Sequence, residues 1–189
     1  MNVYKLMYDY EHYDNLGVQV RINDEHLGFN RYDAESGAPL HINRIVCDEC
    51  MVNDSYMDYI PNDQGWTIVS KKAKDILMSY VKETEFIPIV RSETKEEIGF
   101  LLNPLTVVAN AIDTEHSVIK RTTYSTDDGI HEHVMYIKIA LKACKIRDYN
   151  IFRIAENPMS IFVSETLKRE IIQNCAKGFD FSKIRIVDS

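Results

Sequence analysis

The first motif that could carry chemistry is a pair of cysteines. Cys47 and Cys50 form a Cys-x-x-Cys motif, whose spacing lets two thiolates reach one tetrahedral zinc ion. Such a site needs two further ligands, and the other two cysteines of the chain are far away in the sequence. The residues between the pair, Asp48 and Glu49, are acidic and do not lower a thiol pKa as basic neighbours would. We therefore expect neither a bound metal nor a redox site at this motif.

The second such motif contains two histidines. His131 and His133 would point to the same face of a strand, because alternate residues share a face. Zinc would need more ligands, and the sequence names none nearby. We expect these histidines to be solvated, with no cofactor bound. A small zinc-binding protein or enzyme that uses Cys47 and Cys50 together with His131 and His133 is kept as the alternative function.

Motifs for nucleotide binding and hydrolysis are absent from the sequence. The seven glycines show no G-x-G spacing, which excludes the dinucleotide-binding fingerprint and the kinase glycine loop. The patterns GxxxxGK, HExxH and GxSxG are missing as well. Catalytic residues can also come from distant parts of a chain, so the missing motifs do not exclude an enzyme. They leave no catalytic residue to predict.

Tyrosines alternate with acidic residues in two clusters. Tyrosine supplies a large contact area at low entropic cost and is enriched at protein interfaces, and carboxylates beside it steer a basic partner. The alternative is that the tyrosines cover the edge of the core while the acids are merely solvated. We expect both clusters to bind a protein partner through Tyr8, Asp9, Tyr10, Glu11, Tyr13, Asp14, Tyr56, Asp58, Tyr59 and Asp63.

The net charge of −7 is concentrated in the first third of the chain. Residues 1–66 hold 4 basic and 12 acidic side chains, a net charge of −8, whereas residues 67–189 hold 18 and 17, a net charge of +1. An acidic surface disfavours nucleic acids and anionic membranes, because both bind through clustered lysine and arginine. The sequence has neither a membrane-length apolar run nor a secretory signal, and its four cysteines suit reduced thiols. These features predict a cytoplasmic protein with a basic partner.

Two strand–helix units must position these side chains. Residues 66–69 form a short strand with Ser70 as helix N-cap, and residues 160–163 repeat this arrangement with Ser164. In the second helix an apolar stripe places Cys175 in the core, and Gly178 ends the helix. The two units are 94 residues apart, and we expect a recurrent common motif rather than an internal repeat.

The remaining segments are mostly β-prone. Helices are few and separated, which predicts an α+β fold with a mixed or antiparallel sheet. The length suits a single domain over residues 1–189. Within it we distinguish an acidic, tyrosine-rich front segment, residues 1–57, from a core of residues 58–187.

Residues 58–187 contain a succession of short, mostly apolar pieces: Asp58-Tyr59-Ile60-Pro61, Ile68-Val69-Ser70, Phe86-Ile87-Pro88-Ile89, Phe100-Leu101-Leu102-Asn103, Ala111-Ile112-Asp113, Ile151-Phe152-Arg153, Ile161-Phe162-Val163-Ser164 and Gly178-Phe179. The order of these pieces resembles a bacterial family, the Imm11-type immunity proteins of polymorphic toxin systems. The resemblance implies a non-enzymatic protein that binds a cognate toxin domain and blocks its active site or its access to substrate. It identifies no catalytic residue, and the front segment lies outside it. A structural or regulatory module unrelated to toxins is a further alternative.

Overall fold

The computed structural model describes residues 1–13, 19–22, 27–50, 57–126 and 129–188, with Glu49 and Cys50 described by their backbone alone. The strands in this part of the chain are β1 (Val3–Tyr8), β2 (Val20–Ile22), β3 (Ile45–Cys50), β4 (Tyr59–Ile60), β5 (Ile68–Val69), β6 (Thr84–Arg91), β7 (Glu97–Pro104), β8 (Val107–Val108), β9 (Val118–Thr126), β10 (Gly129–Lys138), β11 (Ala140–Lys142), β12 (Ile151–Ile154), β13 (Asn157–Ser164) and β14 (Phe179–Val187). The helices are α1 (Tyr10–Tyr13), α2 (Asp33–Ser36), α3 (Lys71–Met78), α4 (Ala143–Ile146) and α5 (Glu165–Gln173).

Most strands belong to two six-stranded sheets. The first sheet has the order β11-β14-β1-β13-β12-β8, and the second has the order β2-β3-β6-β7-β5-β4. Each sheet mixes parallel with antiparallel neighbours. Strands β9 and β10 form a separate two-stranded hairpin. The predicted α+β fold with mixed sheets and few helices is confirmed.

A shared core lies between the two sheets and the two longer helices. Strand β7 contributes Phe100 and Leu102 to this core, whereas Leu101 between them faces the opposite side of the second sheet. Successive side chains of a strand point to opposite faces of its sheet, so all three are apolar because β7 is buried on both faces. Helices α3 and α5 bury Leu77 and Ile171 against the same core. Each sheet therefore has an inner face on the shared core and an outer face with its own apolar cluster.

The two strand–helix units start as the sequence predicts. Ser70 caps α3 by accepting a hydrogen bond from the Ala73 N–H at 3.1 Å, and Ser164 caps α5 through the Leu167 N–H at 3.2 Å. The end of α5 differs from the prediction, because the helix stops at Gln173. Cys175 has a positive φ of 51° and is exposed, so its placement in the core was wrong.

The similarity between the units extends to whole sheets. Strands β3-β6-β7-β5-β4 of the second sheet have the same order and the same relative directions as β11-β14-β1-β13-β12 of the first. Val69 pairs with Phe100, and Val163 pairs with Tyr4. The recurrence is therefore an internal structural repeat, contrary to our expectation. The N-terminal strand β1 takes the place in the first sheet that β7 takes in the second.

Candidate protein-binding surface

A small acidic and aromatic surface lies at the end of β1. It consists of Asp9, Tyr10, Glu11, His12 and Asp180, and we call it the α1 patch. The side chain of Tyr10 is 65% exposed, and Glu11, His12 and Asp180 are also exposed. An aromatic ring that stays exposed among three carboxylates has the composition of a surface that binds a basic protein.

The turn into α1 is held by backbone and side-chain contacts. The Asp9 N–H donates to the Gly178 carbonyl at 3.0 Å, and Asp9 Oδ1 accepts the His12 N–H at 3.1 Å. Gly178 has a φ of +85°, and a Cβ there would lie 3.0 Å from the carbonyl oxygen of Tyr59. Glycine therefore suits this position for both its backbone conformation and its lack of a side chain. We had expected Gly178 to end α5. Instead, α5 stops at Gln173, and Gly178 supports the turn into α1.

A row of aromatic rings supports Tyr10 from below. The Tyr10 ring lies edge-on to Tyr8 with 4.8 Å between centroids. Tyr8 contacts Tyr59 at 5.6 Å, and Tyr59 contacts Phe179 at 5.5 Å. The Tyr8 hydroxyl donates to the Tyr13 carbonyl at 3.2 Å. Tyr10 is thus the exposed end of a buried row, which restricts its ring in advance of binding.

Two ionisable groups in and below the α1 patch have shifted pKa values. The hydrogen bond to Asp9, followed by the negative charge of the same carboxylate, raises the pKa of His12. The carboxylates of Glu11 and Asp180 act in the same direction. Burial raises the pKa of Tyr59 to about 12, although its hydrogen bond with Thr67 opposes the shift. Protonation of His12 would make the α1 patch less negative, and the raised pKa keeps the Tyr59 hydroxyl beneath it neutral at physiological pH.

Three of the expected contact residues are buried. Tyr8, Tyr59 and Asp58 are each 7% exposed. The carboxylate of Asp58 accepts hydrogen bonds from the Ser70 hydroxyl at 2.6 Å and the Lys177 N–H at 2.8 Å. Their burial leaves these three side chains little surface to offer a partner in this fold. The two tyrosines belong to the core, and Asp58 joins the start of α3 to the chain that follows α5.

The remaining expected contact residues do not all lie together. Tyr13 packs partly buried against the shared core, and so it borders the α1 patch. Asp63 is exposed but lies in the loop between β4 and β5, where it accepts the Ile22 N–H at 3.1 Å. Asp14 and Tyr56 lie outside the described residues. Of the expected set, the structure places Asp9, Tyr10 and Glu11 in one exposed surface.

Sequence reasoning missed two members of the α1 patch. Asp180 is far from Tyr10 in the sequence and reaches the patch because β14 pairs with β1, with Met7 opposite Asp180. His12 was visible between the tyrosines, but its bond to Asp9 depends on how the turn folds. Alternating polar and apolar residues could have indicated strand β14, but they do not reveal its partner strand.

The cysteine and histidine motifs lie in different surroundings. Cys47 is buried in the outer apolar cluster of the second sheet, whereas His131 and His133 lie on the hairpin. The side chain of Cys50 is outside the described part of the structure. Among the described residues, no group of three or more His, Cys, Asp or Glu side chains could hold a metal ion. Zinc binding by the Cys47 and Cys50 pair stays an untested hypothesis.

Comparison with known proteins extends the resemblance seen in the sequence. A family model described as Immunity protein family (Imm11) matches residues 18–185, whereas no curated protein matches the chain. The match begins well before residue 58, so our expectation that the whole front segment lies outside it was wrong. The reason is structural, because β2 and β3 of that segment are strands of the second sheet. No helix in the described ranges is long and apolar enough to cross a membrane.

Proposed function

Because the chain belongs to the Imm11 immunity protein family, we propose that it binds a cognate bacterial toxin domain and neutralises it by protein–protein contact. The family match over residues 18–185, which includes strands of both sheets, is the observation that carries this proposal. The chain acts in the cytoplasm and catalyses no reaction. The absence of nucleotide-binding and hydrolase motifs from its sequence supports the non-catalytic part.

The α1 patch is the proposed contact surface for the toxin. Its exposed Tyr10 ring supplies apolar area, and the carboxylates of Glu11 and Asp180 supply negative charge around it. Tyrosine is enriched among the few residues that carry most of the affinity in protein interfaces, and nearby charges add selectivity for a partner of opposite charge. The charge distribution points to a basic toxin surface, as found in proteins that act on nucleic acids. Occupation of such a surface would exclude the toxin's own anionic substrate.

A double variant with a matched control tests this proposal. Tyr10→Ala with Glu11→Lys removes the exposed ring and reverses a neighbouring charge. The control, Tyr32→Ala with Glu93→Lys, also changes an equally exposed tyrosine and an exposed carboxylate. Both variants change the net charge by the same amount, so the comparison isolates the location of the change.

The measurement is binding to the toxin domain encoded beside this chain, together with rescue of growth when the two are co-expressed. We expect the α1-patch variant to bind at least about ten-fold more weakly than the wild type, because loss of an interface hot spot costs about 2 kcal/mol or more. The control should bind as the wild type does. If the wild type neither binds nor rescues growth, the proposed function is wrong. If the two variants bind equally well, the α1 patch is not the contact surface.

A further inference from the structure

A groove of about 590 Å³ lies between the outer face of the first sheet and the base of the hairpin. Apolar side chains of Met7, Phe162 and Ile184 line its floor. The charged residues that line it are all basic: Lys5, Lys138, Lys183 and Arg185, with His116 beside them. Lys183 lies opposite Tyr4 of the shared core, so its side chain, like that of Arg185, lies on the other face of β14, and Lys5 and Lys138 supply the charge of the groove. Among the described residues that line the groove there is no carboxylate, which contrasts with the net charge of −7 of the whole chain.

The internal repeat shows what covers the equivalent position in the second sheet. Lys5 pairs with Phe162 as Leu101 pairs with Ile68, so Lys5 corresponds to Leu101. In the neighbouring strand pairs β1–β14 and β7–β6, Met7 lies opposite Asp180 and Asn103 lies opposite Glu85. Met7 therefore corresponds to Asn103, and Asp180 corresponds to Glu85. The outer faces of the two sheets can therefore be compared residue by residue.

In the second sheet these positions are covered by residues 38–40 of the chain itself. Asn103 is fully buried and donates to the Ala38 carbonyl at 2.9 Å. Glu85 accepts the Leu40 N–H at 3.2 Å and the Asn103 amide at 3.0 Å. Leu101 is 1% exposed. A short segment without regular secondary structure thus closes this outer face and buries Leu40 against it.

In the first sheet the corresponding positions are open. Lys5 and Met7 are only half-buried. Ser182 is exposed, whereas its counterpart Ile87 is 5% exposed. On the side of β14 that faces away from β1, strand β11 pairs only with Arg185–Val187. This pairing therefore does not reach Ser182. The base of the hairpin forms the other wall of the groove, yet it leaves Lys5, Met7 and Ser182 more exposed than their counterparts in the second sheet.

We propose that this groove receives an extended, acidic and apolar segment of the toxin, which covers the first sheet as residues 38–40 cover the second. The inference rests on the proposed function and adds a second contact of opposite charge. The apolar floor accommodates aliphatic side chains of the segment, and Lys5 and Lys138 pair with its carboxylates. The groove adjoins the α1 patch, because Met7 and Asp9 are two residues apart and Asp180 lies opposite Met7. One toxin domain can therefore reach both surfaces.

The test compares two double charge reversals in the full chain. Lys5→Glu with Lys138→Glu places carboxylates in the groove, whereas Lys82→Glu with Lys95→Glu changes two exposed lysines elsewhere. Both double variants lower the net charge by the same amount, so they change the overall electrostatic attraction to a basic toxin equally. A difference between them therefore reports the position of the charges. We expect the groove variant to bind the neighbouring toxin domain at least ten-fold more weakly than the control variant. Circular dichroism and thermal unfolding check that both variants fold.

Hydrogen exchange of the wild-type complex supplies a second measurement that needs no variant. We expect toxin binding to protect the amides of residues 5–7 and 180–184. A wild type that does not bind the toxin would overturn the proposed function. Binding with neither protection nor a difference between the variants would overturn the groove proposal alone. Protection of the groove in the chain without toxin, rising with concentration, would identify a second copy as the occupant. Competition by single-stranded nucleic acid for the groove would likewise overturn the proposal.

Discussion

Replacement of Asp58 by alanine should destabilise the fold without acting on a binding surface. The Asp58 carboxylate is buried and accepts the Ser70 hydroxyl at 2.6 Å and the Lys177 N–H at 2.8 Å. The Lys72 ammonium lies 3.4 Å away but belongs to a half-exposed side chain. Asp58 thus connects the N-cap of α3 with the segment that leads into β14.

The expected cost follows from these hydrogen bonds. A hydrogen bond to a charged group contributes about 1.5–3 kcal/mol, and the exposed ion pair with Lys72 contributes close to nothing. Asp58→Ala loses two such bonds and should lower the free energy of unfolding by about 3–6 kcal/mol. Asp58→Asn keeps the size of the side chain, with its oxygen accepting from Lys177 and its amide donating to Ser70. That variant should lose about 1–2 kcal/mol, because neutral hydrogen bonds remain.

Urea unfolding monitored by circular dichroism measures both changes, with Asp63→Ala as the control. The carboxylate of Asp63 is exposed and accepts one backbone N–H, from Ile22, so its loss should cost less than about 1.5 kcal/mol. The reasoning is refuted if Asp58→Ala costs less than about 1 kcal/mol, or if the alanine and asparagine variants are equally destabilised.

Three further predictions concern packing, ionisation and thiol exposure. Gly99→Ala should lower the free energy of unfolding by about 1–3 kcal/mol, because its Cβ would lie 2.8 Å from the carbonyl oxygen of Val69; an unchanged urea midpoint would contradict this. The pKa of Tyr59 is about 12 in the folded protein and 10 in its reference state, so the unfolded chain loses this proton first as the pH rises. The free energy of unfolding should therefore fall by roughly 2–3 kcal/mol between pH 10 and pH 12. Tyr59→Phe should show a smaller fall over the same range. In a variant with Cys50 and Cys175 replaced by serine, a thiol reagent should label the exposed Cys144 in the native protein and the buried Cys47 only on unfolding. Equal labelling rates of the two thiols would contradict their assigned burial.

Local features of the fold could be predicted because their causes are local. Ser70 and Ser164 start helices through hydrogen bonds to residues three positions away, and such caps are visible in the sequence. The end of α5 could not be predicted in the same way. An apolar pattern that continues to Cys175 does not reveal that Asn174 ends the helix and that the chain then takes a positive φ.

The front segment shows why the rest could not be predicted. It was described as an acidic surface outside the core, yet β1 is an inner strand of the first sheet and β2 and β3 extend the second. Strand pairing joins residues that are far apart in the chain, such as Val3 and Ser164. Alternating side chains indicate a strand, but neither its partner nor its register.

Packing also separates neighbouring residues within the candidate contact surface. Tyr8 and Tyr10 share one acidic cluster and have the same side chain, yet one is 7% and the other 65% exposed. Strand β1 ends at Tyr8, and the turn at Asp9 directs Tyr10 outward. Only the packed structure decides which of two similar residues faces the core.

The amino-acid sequence by itself determined the fold class, the two capped strand–helix units, the family resemblance and the concentration of negative charge in the first third of the chain. These properties depend on composition and on short-range patterns, which need no knowledge of distant partners. The tertiary structure decided that the two units belong to matching sheets, that Asp180 joins the α1 patch, and that Lys5 lines a basic groove. Each of these depends on which strands pair and in which register, and long-range packing settles that choice.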